Sequence, residues 1–433
     1  MLPLQTGLSF EQAPPITVPF RFFLTAPLFL LAAACLLAWF GPAALQMRQA
    51  PATLALTHLL TLGVMSMTMC GALMQMLPVI AGSPIVHPRL TAALCHGLLT
   101  LGTPMLAAAF LTGNHALGLA STAVLGCGFG AFIVASGLSL ARIRTCNSTV
   151  ISMGLAAIAL AVAIPLGMVL LLARIGSINI AYAQYAELHP LWGSIGWAAL
   201  LIIGVAYQVV PMFLMTPDYP KHLTRMLAVI LFALLVVKTA AVLLDASPPM
   251  NAGVDTGLAA GLTWFALTTL RLQAMRKRRH ADPTQRYWRL AMSALIVAAL
   301  GGVMLRWVSA EAAEMLKLVL GMLFIIGFVL GVISGMLYKI VPFLAWFHLQ
   351  SRHLRQVPIP NMKTLMPDNR ALAQMRVWLC AVIMLAAAMV LPRVFTYPAA
   401  LLLAAAAIWL EWNLLATVRS YKNTRRLAMA KKI

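Results

Sequence analysis

From Thr149 to Ala173 the chain carries no Asp, Glu, Lys or Arg. As a helix at 1.5 Å per residue this stretch is roughly 37 Å long, more than the hydrocarbon core of a bilayer, about 30 Å. Eleven similar apolar stretches follow the same pattern, so the spans are expected near residues 20–41, 52–80, 90–110, 115–140, 149–173, 189–215, 227–244, 252–274, 290–309, 315–347, 374–392 and 396–417. Charged residues make up 9% of the 433 and apolar ones 62%, whereas a soluble domain holds roughly 25% charge. That excludes a soluble globular protein. Outer-membrane strands alternate apolar and polar residues, but Leu, Ala, Val and Met run here almost without interruption. The expected fold is all-α: one polytopic transmembrane domain of about twelve helices, 1–433, with the lipid bilayer as its surroundings.

The 31 Lys and Arg against 10 Asp and Glu first suggest nucleic acid, but their placement does not. Loops after even-numbered spans, the tail and Arg21 hold 24 of them. The other side holds only Arg48, Arg174, Arg306, Lys317 and Arg393, with Lys238 and Lys339 inside spans. By the positive-inside rule both termini are expected in the cytoplasm, in a bacterial inner membrane, with no nucleic-acid partner. The first 19 residues lack the basic start of a signal peptide, so no cleaved leader is expected. Six cysteines form no C-x-x-C pair, so neither a disulfide framework nor a zinc finger is indicated.

A motif recurs three times. Gly71-Ala72-Leu73-Met74-Gln75-Met76-Leu77-Pro78 returns as Gly204 to Pro211 and as Gly335 to Pro342, at intervals of 133 and 131 residues, each copy reading G-x-x-x-[QK]-x-x-P. Each has another glycine eight residues upstream: Gly63, Gly196 and Gly327. Paired glycines on one helix face let backbones approach closely, and the proline is expected to end the helix as it leaves the membrane. The direct role of the motif is packing. Its spacing divides the chain into three pseudo-symmetric four-helix repeats, 1–146, 147–280 and 281–433.

Two histidines lie in the outer parts of motif-bearing spans. His58 precedes Gly63 by five residues, and His189 opens the stretch His189-Pro190-Leu191-Trp192-Gly193-Ser194-Ile195-Gly196. An ionisable group at membrane depth points to function, and a neutral imidazole ligates heme iron or copper. The competing reading is a histidine that donates to a carbonyl of a neighbouring helix, and Thr57 is the local polar partner available to His58. Met322 stands in the third repeat where His58 stands in the first. His96, beside Cys95, is a further metal-ligand candidate. Met65, Met69 and Met76 share a face that suits Cu(I) or plain packing. Lys339 replaces Gln75 and Gln208 and either snorkels to the surface or faces a polar cavity. Lys238 shares a face with Asp245.

Twelve helices in three groups of four, with histidines on the second and sixth, resemble subunit I of the heme-copper oxidases. The resemblance implies heme b and copper held by helices two, six, seven and ten. Yet span seven has no histidine and span ten none in its outer half, so the ligands of a binuclear centre are missing, and oxidase or nitric oxide reductase turnover is not expected. The chain is also similar to the NnrS family, twelve-span heme- and copper-containing proteins associated with nitric oxide stress. Arg21-Phe22-Phe23, His58 with Gly63, and His189-x-x-x-Gly193-x-Ile195-Gly196 carry that likeness. The family's proline after the arginine is absent, and its further histidine and glutamate on span two fall on Leu56 and Leu59. The resemblances imply a divergent relative that binds heme, and copper in the same scheme, through His58, His189, Met322 and His96, and works with a respiratory redox partner. The alternatives are a transporter or metal- and heme-handling factor on the same scaffold, or an assembly partner of a respiratory complex. The residues do not indicate an oligomeric state.

Overall fold

A computed structural model describes residues 10–143, 147–277, 282–353 and 357–430, and among them there is no strand. Twelve long helices follow one another: α1 Thr17–Leu45, α2 Pro51–Ala81, α3 Pro88–Thr112, α4 His115–Ala141, α5 Ser148–Arg174, α6 Tyr182–Leu214, α7 Lys221–Leu243, α8 Pro248–Ala274, then α9 Pro283–Trp307, α10 Ala310–Ser351, α11 Asp368–Val390 and α12 Pro392–Ala430. All but α8 are long and apolar enough to cross a membrane, as a multi-pass membrane protein requires; α8 has the length, 27 residues, with more polar side chains. Exposed Val236, Ile383, Leu401 and Ile408 cover the outer helix faces, where lipid is the solvent. Exposed Trp39 and Trp307 lie at the ends of α1 and α9, the level at which tryptophan favours the headgroup region.

Helices α2 and α6 are the most enclosed. Around them the packing recurs. The pairs α3–α4, α7–α8 and α11–α12 pack side by side; α5 lies on α4 and α9 on α8, and α1 closes the ring on α12. The glycine pairs explain how α2, α6 and α10 sit against the helix before each. A Cβ on Gly63 or Gly71 would fall 2.3 and 2.6 Å from atoms of Phe29 and Phe22 on α1. On Gly196 or Gly204 it would meet Ala159 and Ser152 of α5, and on Gly327 or Gly335 it would meet Ala294 and Tyr287 of α9.

One feature of these helices is not written in the periodicity. Each passes through a π-helical segment: Leu59–Ser66, Trp192–Ala199 and Leu323–Leu330, which begin 133 and 131 residues apart. Eight residues at 3.6 per turn overrun two turns by about 80°. The wider π turns take up part of that excess, and both glycines of each pair meet the same neighbouring helix.

The prolines act differently from expectation. Pro78, Pro211 and Pro342 lie inside helices. Each removes one backbone donor without stopping the helix, and the stop comes four residues later, at left-handed Gly82 in α2 and Met215 in α6. The third copy has no such stop, and α10 runs on past Pro342. The basic tail from Arg419, expected as a cytoplasmic extension, continues α12 as helix to Ala430.

Candidate functional site

Helices α1 to α6 with α10 and α11 wall a cavity of about 420 Å³, a size typical of small-molecule and cofactor sites. It reaches from Arg48, Arg174 and Lys317 at one end to Ser66 and Trp197 at the other. Ser66 lies 15 residues into α2, roughly 22 Å along it. There the Trp197 indole donates to Ser66 Oγ at 3.2 Å and ties α6 to α2.

His58, His189 and Met322 all line this cavity. His58 and Met322 immediately precede their π segments, and His189 stands three residues ahead of its own. The two imidazole centres are 6.2 Å apart with ring planes 10° from parallel. His58 Nδ1 is 2.8 Å from the Leu54 carbonyl, and His189 Nδ1 is 3.0 Å from the Ala163 carbonyl. Carbonyl oxygens only accept, so Nδ1 carries the proton in each ring and the Nε2 lone pair is left for another partner. A carbonyl behind the ring fixes the tautomer of metal-bound imidazoles in the same way. The local partner of His58 is thus a carbonyl one turn back rather than Thr57.

Two neighbours hold the rings in place. The Phe110 ring centre is 5.1 Å from that of His58, and Gly167 makes room for His189, since a Cβ there would sit 2.7 Å from Cε1. Nothing local in the sequence marks Phe110 or Gly167, because both come from other helices. Sulfur is also present: Met65, Met168 and Met389 join Met322 on the cavity wall.

His96 is elsewhere. Its Nε2 is 2.8 Å from Thr25 Oγ1, and its ring meets Phe22 edge to face, so the structure does not gather it with His58 and His189. Met69 and Met76 do not reach the cavity either. Among the described residues no group of three or more His, Cys, Asp and Glu comes together. A metal ion at this cavity would have two imidazoles and thioethers as its protein donors.

Lys238 finds partners other than the one its helix suggested. Its ammonium, 5% exposed, lies 3.0 Å from Glu187 and 3.2 Å from Asp255, with Asn251 Oδ1 accepting at 3.1 Å. Asp245 instead accepts from Gln184. The cluster joins α6, α7 and α8 two residues from His189. Replacing both carboxylates (Glu187→Gln with Asp255→Asn) is expected to cost about 3 kcal/mol, the low end for an uncompensated buried charge, because Asn251 still accepts. Lys238→Met should cost less than about 1 kcal/mol, since water solvates the half-exposed carboxylates; thermal unfolding in detergent checks the order. Lys339 does not snorkel freely: it pairs with buried Asp282 at 2.9 Å, linking α10 to the start of α9.

No protein-family model matches the chain, and no curated protein matches it. The geometry of the cavity is what bears on function.

Proposed function

We propose that the protein is a heme-binding inner-membrane protein related to subunit I of the heme-copper oxidases, NnrS-like in part, lacking a binuclear centre and serving redox or nitric oxide related respiratory chemistry with a respiratory redox partner. The observation that carries this is a pair of near-parallel imidazoles, His58 and His189, lining one apolar cavity with each Nδ1 held by a backbone carbonyl, which leaves both Nε2 lone pairs for another partner. Those two residues would hold the iron of heme b, with Met322 on the same cavity wall as a thioether alternative, and the bound group would supply one redox-active iron. What the chain itself does is fix both tautomers through Leu54 and Ala163, and wall the site with apolar side chains.

Recurrence of the glycine contacts, the π segments and the helix pairings at one interval supports the three four-helix repeats. The charge count supports cytoplasmic termini, with the Arg48 end of the cavity facing outward. The test is an optical spectrum of the purified protein: a Soret band that shifts on reduction is expected, and a colourless, folded protein from heme-replete cells would overturn the reading.

A second reading rests on Met65, Met168, Met322 and Met389, which line the same cavity as the two histidines. Thioethers with imidazole select Cu(I), so a copper-handling role uses the same residues. Copper retained through purification without a Soret band would favour it.

A further inference from the structure

Only five basic residues belong to the sparsely charged side of the bundle, and three of them, Arg48, Arg174 and Lys317, meet at the mouth of this one cavity. Cations are otherwise kept off that side, so their convergence needs a reason. One carboxylate answers them. Glu314 takes Arg48 Nε at 3.2 Å and Nη2 at 3.4 Å, and Lys317 Nζ at 2.7 Å. Arg174 pairs with no carboxylate among the described residues. It donates to the Gln49 carbonyl at 3.3 Å and lies over the Phe110 ring, 6.0 Å from its centre. That same ring touches His58. Three cations and one anion leave the mouth two positive charges in excess, one aromatic ring away from the paired imidazoles.

We propose that Arg48, Arg174 and Lys317 form a receptor for the two carboxylates of an amphipathic ligand whose apolar body fills the cavity, and that Glu314 is an internal carboxylate competing for Arg48 and Lys317. The inference rests on the heme reading above and adds to it the orientation of the porphyrin: propionates toward Arg174 and the Arg48–Glu314–Lys317 latch, ring edge toward Ser66 and Trp197. Arginine receives a carboxylate through paired N–H donors, and the fork that Arg48 already makes on Glu314 shows the geometry it would offer. The latch side chains are about one third to one half exposed, so they are free to exchange one carboxylate for another.

Full-length protein from heme-deficient cells, in detergent, is titrated with hemin and with hemin dimethyl ester, following the Soret band. The ratio of the two affinities, compared between native protein and variants, cancels the different partition of the two porphyrins into detergent. Native protein should prefer the free acid. Arg174→Gln, and Arg48→Gln with Lys317→Gln, should each lower that ratio about tenfold while leaving ester binding unchanged. Glu314→Gln should tighten hemin binding several-fold by removing the competitor. His58→Ala should weaken both porphyrins and leave the ratio alone. A ratio that does not move in the cation variants, or variants that weaken acid and ester equally, overturns the receptor while leaving the heme reading in place. Failure of native protein to bind either porphyrin overturns both.

Discussion

If the protein holds heme as proposed, His58→Ala is expected to abolish the heme spectrum of the purified protein or to change it beyond recognition as the native form. The imidazole is held from behind by the Leu54 carbonyl at 2.8 Å and from the side by Phe110, with the His189 ring centre 6.2 Å away, so alanine leaves one imidazole where there were two. Met322 lines the same cavity, but a thioether in place of nitrogen gives a different ligand field. Gly167→Ala is the matching test from the other ring: its new Cβ would stand 2.7 Å from His189 Cε1 and must turn that imidazole, altering the spectrum without removing a ligand. Were His58 only a packing residue, its loss would cost about 1–3 kcal/mol through the orphaned carbonyl and leave the spectrum alone. An unchanged spectrum in folded His58→Ala protein therefore removes this residue from the site.

That His58, His189 and Met322 share one cavity was open to anticipation because His58 and Met322 stand five residues, and His189 seven, ahead of a matching glycine, all in the same end of their spans. The spacing of Gly63, Gly196 and Gly327 is local information, and it survives folding as three contacts of the same kind. What the sequence could not yield is how far each helix is rotated. The π segments change that rotation between the glycine seam and the histidines, and no change of composition marks where they begin. Lys238 was expected to share a face with Asp245, but α7 ends at Leu243 and the chain turns there, with Asp245 at positive φ, so the charge of Lys238 is met instead by Glu187 and Asp255 from α6 and α8. The cationic mouth was hidden differently. Arg48, Arg174 and Lys317 are each visible as an exception to the charge asymmetry, but their meeting depends on the ring closing so that α1, α5 and α10 end together.

Gly71→Ala, Gly204→Ala and Gly335→Ala are expected to destabilise the protein by similar amounts, about 1–2 kcal/mol each. Alanine gains up to about 1 kcal/mol over glycine in a helix interior, and insertion into a packed interface costs about 1–3 kcal/mol, occasionally more. The second term wins here because of what the new methyl meets. At these glycines the nearest atom is the Cβ of Phe22, Ser152 or Tyr287, at 2.6, 2.4 and 2.6 Å. A Cβ cannot swing aside as the end of a side chain can, so the helices themselves must part. Gly130 is the control, with nothing within 4 Å of where its methyl would stand, so Gly130→Ala should be neutral or slightly stabilising. Thermal unfolding of the four variants in one detergent makes the comparison. If the three seam variants unfold with Gly130→Ala, the close approach of α2, α6 and α10 to α1, α5 and α9 is not what holds the bundle together. If only one of the three is destabilised, the repeats are alike in sequence but not in the forces that pack them. If all three fall together, the seam that sets the depth and rotation of α2, α6 and α10 is the same device used three times, and the meeting of His58, His189 and Met322 follows from it.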